Sequence, residues 1–188
     1  MGKKKVGIVV VVLMAVLLLA YYFHMSNRME QTQDDYVPTA VQNVLLKNLD
    51  TNYPPTPKEV VKYYSEVTKC LHNEEYTDEQ LEQMADKLLA LFDTELLAIN
   101  PRDEYIVDLK ADVISFKDEG YSITTFTPSS STDVEFYEID GDEMAQLYCD
   151  YTIKSKAEYS TSKHLFVLRK ESETGHWKIF GFEVPETK

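Results

Sequence analysis

Residues 6–23 form an unbroken apolar run, from Val6 to Phe23, directly after Lys3-Lys4-Lys5. As a helix, eighteen residues rise about 27 Å, close to the roughly 30 Å hydrocarbon core of a bilayer. Three lysines on one flank against the lone Arg28 on the other orient such a helix with its N-terminus in the cytoplasm. A cleaved signal peptide is the competing reading. Its apolar stretch is usually about 7–15 residues and ends at a small-x-small site. Here the nearest candidate, Leu18-Leu19-Ala20, begins with a large side chain, and Tyr21, Tyr22 and Phe23 follow as an aromatic patch suited to a membrane interface. The expected layout is a cytoplasmic tail at 1–5, a transmembrane signal anchor at 6–24, an extracytoplasmic stalk at 25–56 and one folded domain at 57–188. The chain is thus expected in the cell membrane as a single-pass protein, with its domain on the extracytoplasmic side.

Charge is distributed unevenly along this layout. Of 19 Lys and Arg, only Lys3, Lys4, Lys5 and Arg28 precede residue 29, and all 32 Asp and Glu follow it. The remaining 15 basic side chains leave residues 29–188 with a formal charge of −17. Nucleic acid and anionic membrane surfaces require clustered Lys or Arg, so both are excluded as partners of the domain. Two cysteines, Cys70 and Cys149, are too few for a disulfide framework. Each lies on an apolar face, so two buried free thiols are favoured over one bridge.

Beyond the apolar run, a weak pattern at Val41, Val44, Leu45 and Leu49 suggests one short helix over 39–49. The stretch Tyr53-Pro54-Pro55-Thr56-Pro57 then forbids helix and marks the expected domain boundary. Thr56-Pro57-Lys58-Glu59 starts a helix with Val60, Val61, Tyr64, Val67 and Leu71 on one face. Thr77-Asp78-Glu79-Gln80 caps a second, with Leu81, Met84, Leu88 and Leu91 as its stripe. A third opens at Asn100-Pro101 and ends before Gly120, with Ile106, Leu109, Val113 and Phe116 at helical spacing. Residues 93–99 either extend the second helix or form a turn. Past Gly120 the period falls to two. Strands are expected over 121–127, 133–140, 145–153, 163–170 and 177–184, with Asp140-Gly141 as a hairpin turn. Helices followed by consecutive strands predict an α+β fold with a curved, mostly antiparallel sheet.

This order, and the terminal hairpin from His164-Leu165-Phe166-Val167-Leu168 to Trp177-Lys178-Ile179-Phe180, resembles the NTF2-like (cystatin-like cone) superfamily over about 57–184. It departs in lacking a short hairpin between the second and third helices. The whole layout also resembles an uncharacterised group of single-pass bacterial proteins. The resemblance implies three helices packed on the sheet, but it names no activity, because that superfamily hosts enzymes and non-catalytic modules alike.

No catalytic, cofactor-binding or metal-binding residue emerges from spacing. His24, His72, His164 and His176 are scattered and read as surface or capping residues. Tyr148 and Asp150 would form an acid–base pair only if their strand face turned inward. Leu147 and Cys149 on the other face argue for the reverse. The expected function is therefore a non-catalytic extracytoplasmic binding or assembly module, held in the membrane by residues 6–24 and meeting a protein partner through exposed aromatic rings. The alternatives are an NTF2-like enzyme or small-molecule carrier using the cone cavity, and a scaffold subunit of a secretion or conjugation machine.

Overall fold

A computed structural model describes residues 38–183. Five helices precede five strands: α1 (Ala40–Leu46), α2 (Pro57–Asn73), α3 (Asp78–Leu89), α4 (Thr94–Ala98), α5 (Arg102–Asp118), β1 (Tyr121–Pro128), β2 (Glu135–Ile139), β3 (Asp142–Ser155), β4 (Glu158–Lys170) and β5 (Trp177–Glu183). The strands form one antiparallel sheet, ordered β1-β3-β4-β5, with β2 paired to the first half of β3. The fold is α+β. Among the described residues no helix is long and apolar enough to cross a membrane. The apolar run at 6–24 lies outside them, as do residues 25–37 and His24.

The helix starts follow the local chemistry of the chain. The Thr39 and Thr77 hydroxyls accept from the backbone N–H groups of Gln42 and Gln80, and each glutamine amide accepts in return from the capping threonine's N–H. Thr56 accepts from Glu59 N–H, with Pro57 in the first turn. Residues 93–99 resolve into a separate element, with Asp93 capping α4 through Glu95 N–H. At Asp140-Gly141 both residues have positive φ, as a two-residue hairpin turn requires.

Two boundaries differ from expectation. The folded unit begins at Thr39, not at residue 57, because the weak apolar pattern of α1 is part of the core. Val41, Val44 and Leu49 are buried, the Tyr63 hydroxyl donates to Val44 O, and the Tyr53 hydroxyl donates to Trp177 O. The proline-rich stretch is thus packed structure, with Tyr53 stacked on His176. β4 begins at Glu158, five residues before the expected start. Its turn, Lys156-Ala157, carries no turn signature, and Lys156 takes a left-handed conformation (φ 54°) that glycine or asparagine usually supplies.

The core lies between α2 and α3 and the inner sheet face of Ala145, Leu147, Cys149, Phe166, Leu168 and Ile179. Cys70 and Cys149 are both buried free thiols. Burial pushes the Cys70 thiol up to about 11, and the negative charge of Glu74 adds to the shift.

On the outer face, Arg169 of β4 holds the segment before α4. Its guanidinium donates to both carboxylate oxygens of Asp93, at 3.0 and 2.5 Å, and to Glu95 and Asp142 at 2.9 and 3.3 Å. Asp93 is only 6% exposed, so its charge depends on this fork. The same segment extends the sheet: Ile179 N–H donates to Leu91 O and Asp93 N–H to Ile179 O, covering the edge of β5. Replacing Arg169 by Met should cost about 3 kcal/mol, because Asp93 is left buried without its counter-charge. Trp177 is the single tryptophan and is buried in this domain, so its fluorescence reads the urea midpoint directly. Arg102→Met, which removes an exposed pair, should move that midpoint far less.

Candidate functional site

Alternation along β3 sends Cys149, Tyr151 and Ile153 to the inner face, and the register of β4 sets His164 opposite Cys149 on that face. A bulge in β5 opposite Val167/Leu168 reverses the strand's parity, so Phe182 pairs with Phe166 and also faces inward. A second bulge in β1, between Ile123 and Thr125, sets Ile123 against Ile153 and Phe126 against Tyr151. Asn73 braces the outer edge of β1: its Nδ2 donates to Ile123 O and its Oδ1 accepts from Ile123 N–H, at 2.7 and 2.9 Å.

Helix α5 crosses above this surface and is held from one side. Arg102 donates to both oxygens of Asp86 at 2.6 and 3.0 Å, Lys110 Nζ meets Asp78 at 2.6 Å, and Lys117 Nζ donates to Glu74 O. Val113 is its sole buried residue. Its other flank meets the sheet through β1, where the Phe116 ring packs against Tyr121. This flank borders a cavity of about 530 Å³, walled by Tyr105, Asp108, Leu109, Asp112 and Phe116 from α5, by Tyr64, Thr68 and His72 from α2, and by Ile123, Tyr151, Ile153, His164 and Phe182 from the sheet. This volume is in the range of small-molecule sites.

The floor is a closed polar cluster. Ser65 Oγ donates its one proton to Val61 O at 2.8 Å, so the Tyr151 hydroxyl must donate to Ser65 Oγ, at 2.6 Å. By the same count, the Cys149 thiol donates to that oxygen at 3.5 Å. Burial pushes the Cys149 and Tyr151 protons off only at higher pH than usual, so neither is a nucleophile at neutral pH.

The walls are neutral as well. Burial holds the His72 and His164 imidazoles below their ordinary pKa. Burial is also the main reason that the Tyr64 phenol rises to about 12 and Tyr105 further still. His72 is fixed by its Nδ1 contact to Thr68 O at 2.8 Å and by an edge contact with Phe116. His164 Nε2 lies 3.0 Å from Ser162 Oγ, and its ring packs against Tyr151. The Tyr105 ring stands edge-on to Phe92, and among the described residues its hydroxyl has no hydrogen-bond partner. Charge enters only at the exposed mouth, through Asp108 and Asp112. Among the described residues no group of three or more His, Cys, Asp or Glu is placed to hold a metal ion.

Asp150 and Tyr148 face away from the cavity. Asp150 pairs across the strands with Lys163, and the Tyr148 ring lies under the Lys163 ammonium at 4.1 Å. His72 and His164, read from sequence as surface or capping residues, line the cavity instead. Strand parity carried the missing signal, since His164 shares its face with Phe166 and Leu168.

The chain belongs to the DUF6715 family. This domain of unknown function matches residues 1–182, a span that includes the N-terminal apolar run and reaches into β5. No curated protein sequence matches the chain. Among solved structures, the intermembrane space region of the chloroplast protein ARC6 is similar at 14% identity, with a TM-score of 0.36, over 71% of this chain and 97% of that one.

The two imidazoles predict a pH dependence of stability. Their folded pKa values lie below that of the unfolded chain, near 6.5, so the unfolded state binds more protons as pH falls through this range. Their contribution is therefore intact at neutral pH and lost on acidification. Urea midpoints read by Trp177 should fall between about pH 7 and pH 5, and the double variant His72→Gln, His164→Gln should flatten that slope.

Proposed function

We propose that this DUF6715 chain is a membrane-anchored, extracytoplasmic binding module, that its domain is NTF2-like, and that the cavity beneath α5 is where it takes its ligand. One observation carries the reading. A single cavity gathers aromatic rings, two neutral imidazoles and an unpaired tyrosine hydroxyl, which is the composition of a small-molecule site. Helices followed by one antiparallel sheet support the NTF2-like assignment, and the apolar run at 6–24 with its lysine flank supports the anchor and its orientation.

Binding is favoured over catalysis by the state of the groups that face the cavity. The phenols and the floor thiol keep their protons at neutral pH, and Cys149 is sealed beneath Tyr151 and Ser65. The two carboxylates are exposed at the mouth and lie away from the sealed floor of the cavity.

The test uses the full-length chain in phosphatidylcholine nanodiscs with 2-naphthol, an uncharged aromatic probe. Amide hydrogen exchange should slow in peptides from 102–118 and 151–165 when the probe is added. Leu109→Trp, which fills the cavity, should remove that protection. Unchanged exchange in these peptides, or equal protection in Leu109→Trp, would contradict the assignment.

A further inference from the structure

We propose that the ligand of this cavity is an organic ammonium: an aromatic or apolar body that enters between the rings, carrying a protonated amine that rests against Asp108 and Asp112. The inference deepens the binding-site reading above and rests on it.

The cavity supplies the body's surroundings and the mouth supplies the sign of its charge. Asp108 and Asp112 are four residues apart on α5, so their side chains stand one above the other on one helix face. Like charges at this spacing repel, and elsewhere in the domain nearby cations relieve comparable carboxylates: Arg102 meets Asp86 and Lys110 meets Asp78. Among the described residues neither Asp108 nor Asp112 is in an ion pair. No Lys or Arg lines the cavity. The site therefore presents two negative charges that no side chain there offsets.

The field of Asp112 extends inward, opposing ionisation of Tyr64 and favouring the cationic form of His72. A cation at the mouth would lie beside the Tyr105 and Phe116 rings, whose faces attract ammonium groups. The cavity, about 530 Å³, is far larger than a bare ammonium or a metal ion needs, so an organic body accounts for the rest of it. An anionic ligand would meet repulsion at the mouth, and the −17 charge of residues 29–188 would add to it.

Three indoles of similar size and different charge test this: tryptamine (cationic), tryptophol (neutral) and indole-3-propionate (anionic). Each is titrated calorimetrically into the full-length chain in phosphatidylcholine nanodiscs, with empty nanodiscs as the blank. Tryptamine should bind about tenfold more tightly than tryptophol, the effect of two exposed charges worth a few-fold each. Indole-3-propionate should bind most weakly. Raising sodium chloride should narrow the gap between tryptamine and tryptophol. The double variant Asp108→Asn, Asp112→Asn should remove the preference for tryptamine over tryptophol. Equal affinity of the native chain for tryptamine and tryptophol, or a preference that survives in the double variant, would overturn the ammonium inference while leaving the cavity as a binding site. Binding of none of the three, or tryptamine binding that is unaffected by Leu109→Trp, would overturn both.

Discussion

The seating of α2 on the inner face of β3 and β4 is the constraint on which the rest of the domain depends. Val60, Val61, Val67 and Leu71 are wholly buried along it, each contributing about 1.5–3 kcal/mol relative to exposure. Ser65 is the polar residue within that face, and it is accommodated because Val61 O takes its proton while Tyr151 and Cys149 donate to its oxygen. This arrangement fixes the rotation of the helix and the height of Tyr151 together. Tyr151 in turn forms the cavity floor. A helix rotated by one residue would place Glu66 or Tyr64 where Ser65 now lies.

The cavity borders α5 on a flank that the helix's polar anchors do not occupy. Those anchors to Asp86, Asp78 and Glu74 all point toward α3 and the end of α2. The facing sheet carries the bulges in β1 and β5, which set Ile123 against Ile153 and Phe182 against Phe166. On the outer face, Arg169 and Asp93 hold the chain leading into α4 and α5, so the start of the roof is fixed to the same strand that carries His164.

Much of this was legible in the chain because the local signals agreed with the global packing. The caps at Thr56 and Thr77, the stripe Val60–Val61–Tyr64–Val67–Leu71, the Asp140-Gly141 turn and the strict alternation of β3 each specify one structure. The outward direction of Tyr148 and Asp150 followed from the same alternation. Less visible was the role of α1, whose two buried residues, Val41 and Val44, gain their meaning only from contacts with α2 and α3. The start of β4 was hidden because Lys156-Ala157 turns without glycine. The cavity was the least legible feature. Its residues come from seven elements, and two bulges that no residue pattern announces decide which of them face it. His164 could have been placed by its shared parity with Phe166 and Leu168, as could Tyr151 and Ile153 by theirs with Leu147 and Cys149.

The space beneath α5 is accessible to a small guest rather than packed. Xenon tests this most directly, since it enters preformed apolar space without needing a specific contact. In the methyl-labelled full-length chain, rising xenon pressure should produce saturable shifts in the methyl resonances of Leu71, Leu109, Ile123 and Ile153, which border the cavity. The close-packed methyls of Leu147 and Leu168 should stay fixed. Shifts that are absent from the first group, or equal in both, would contradict the account.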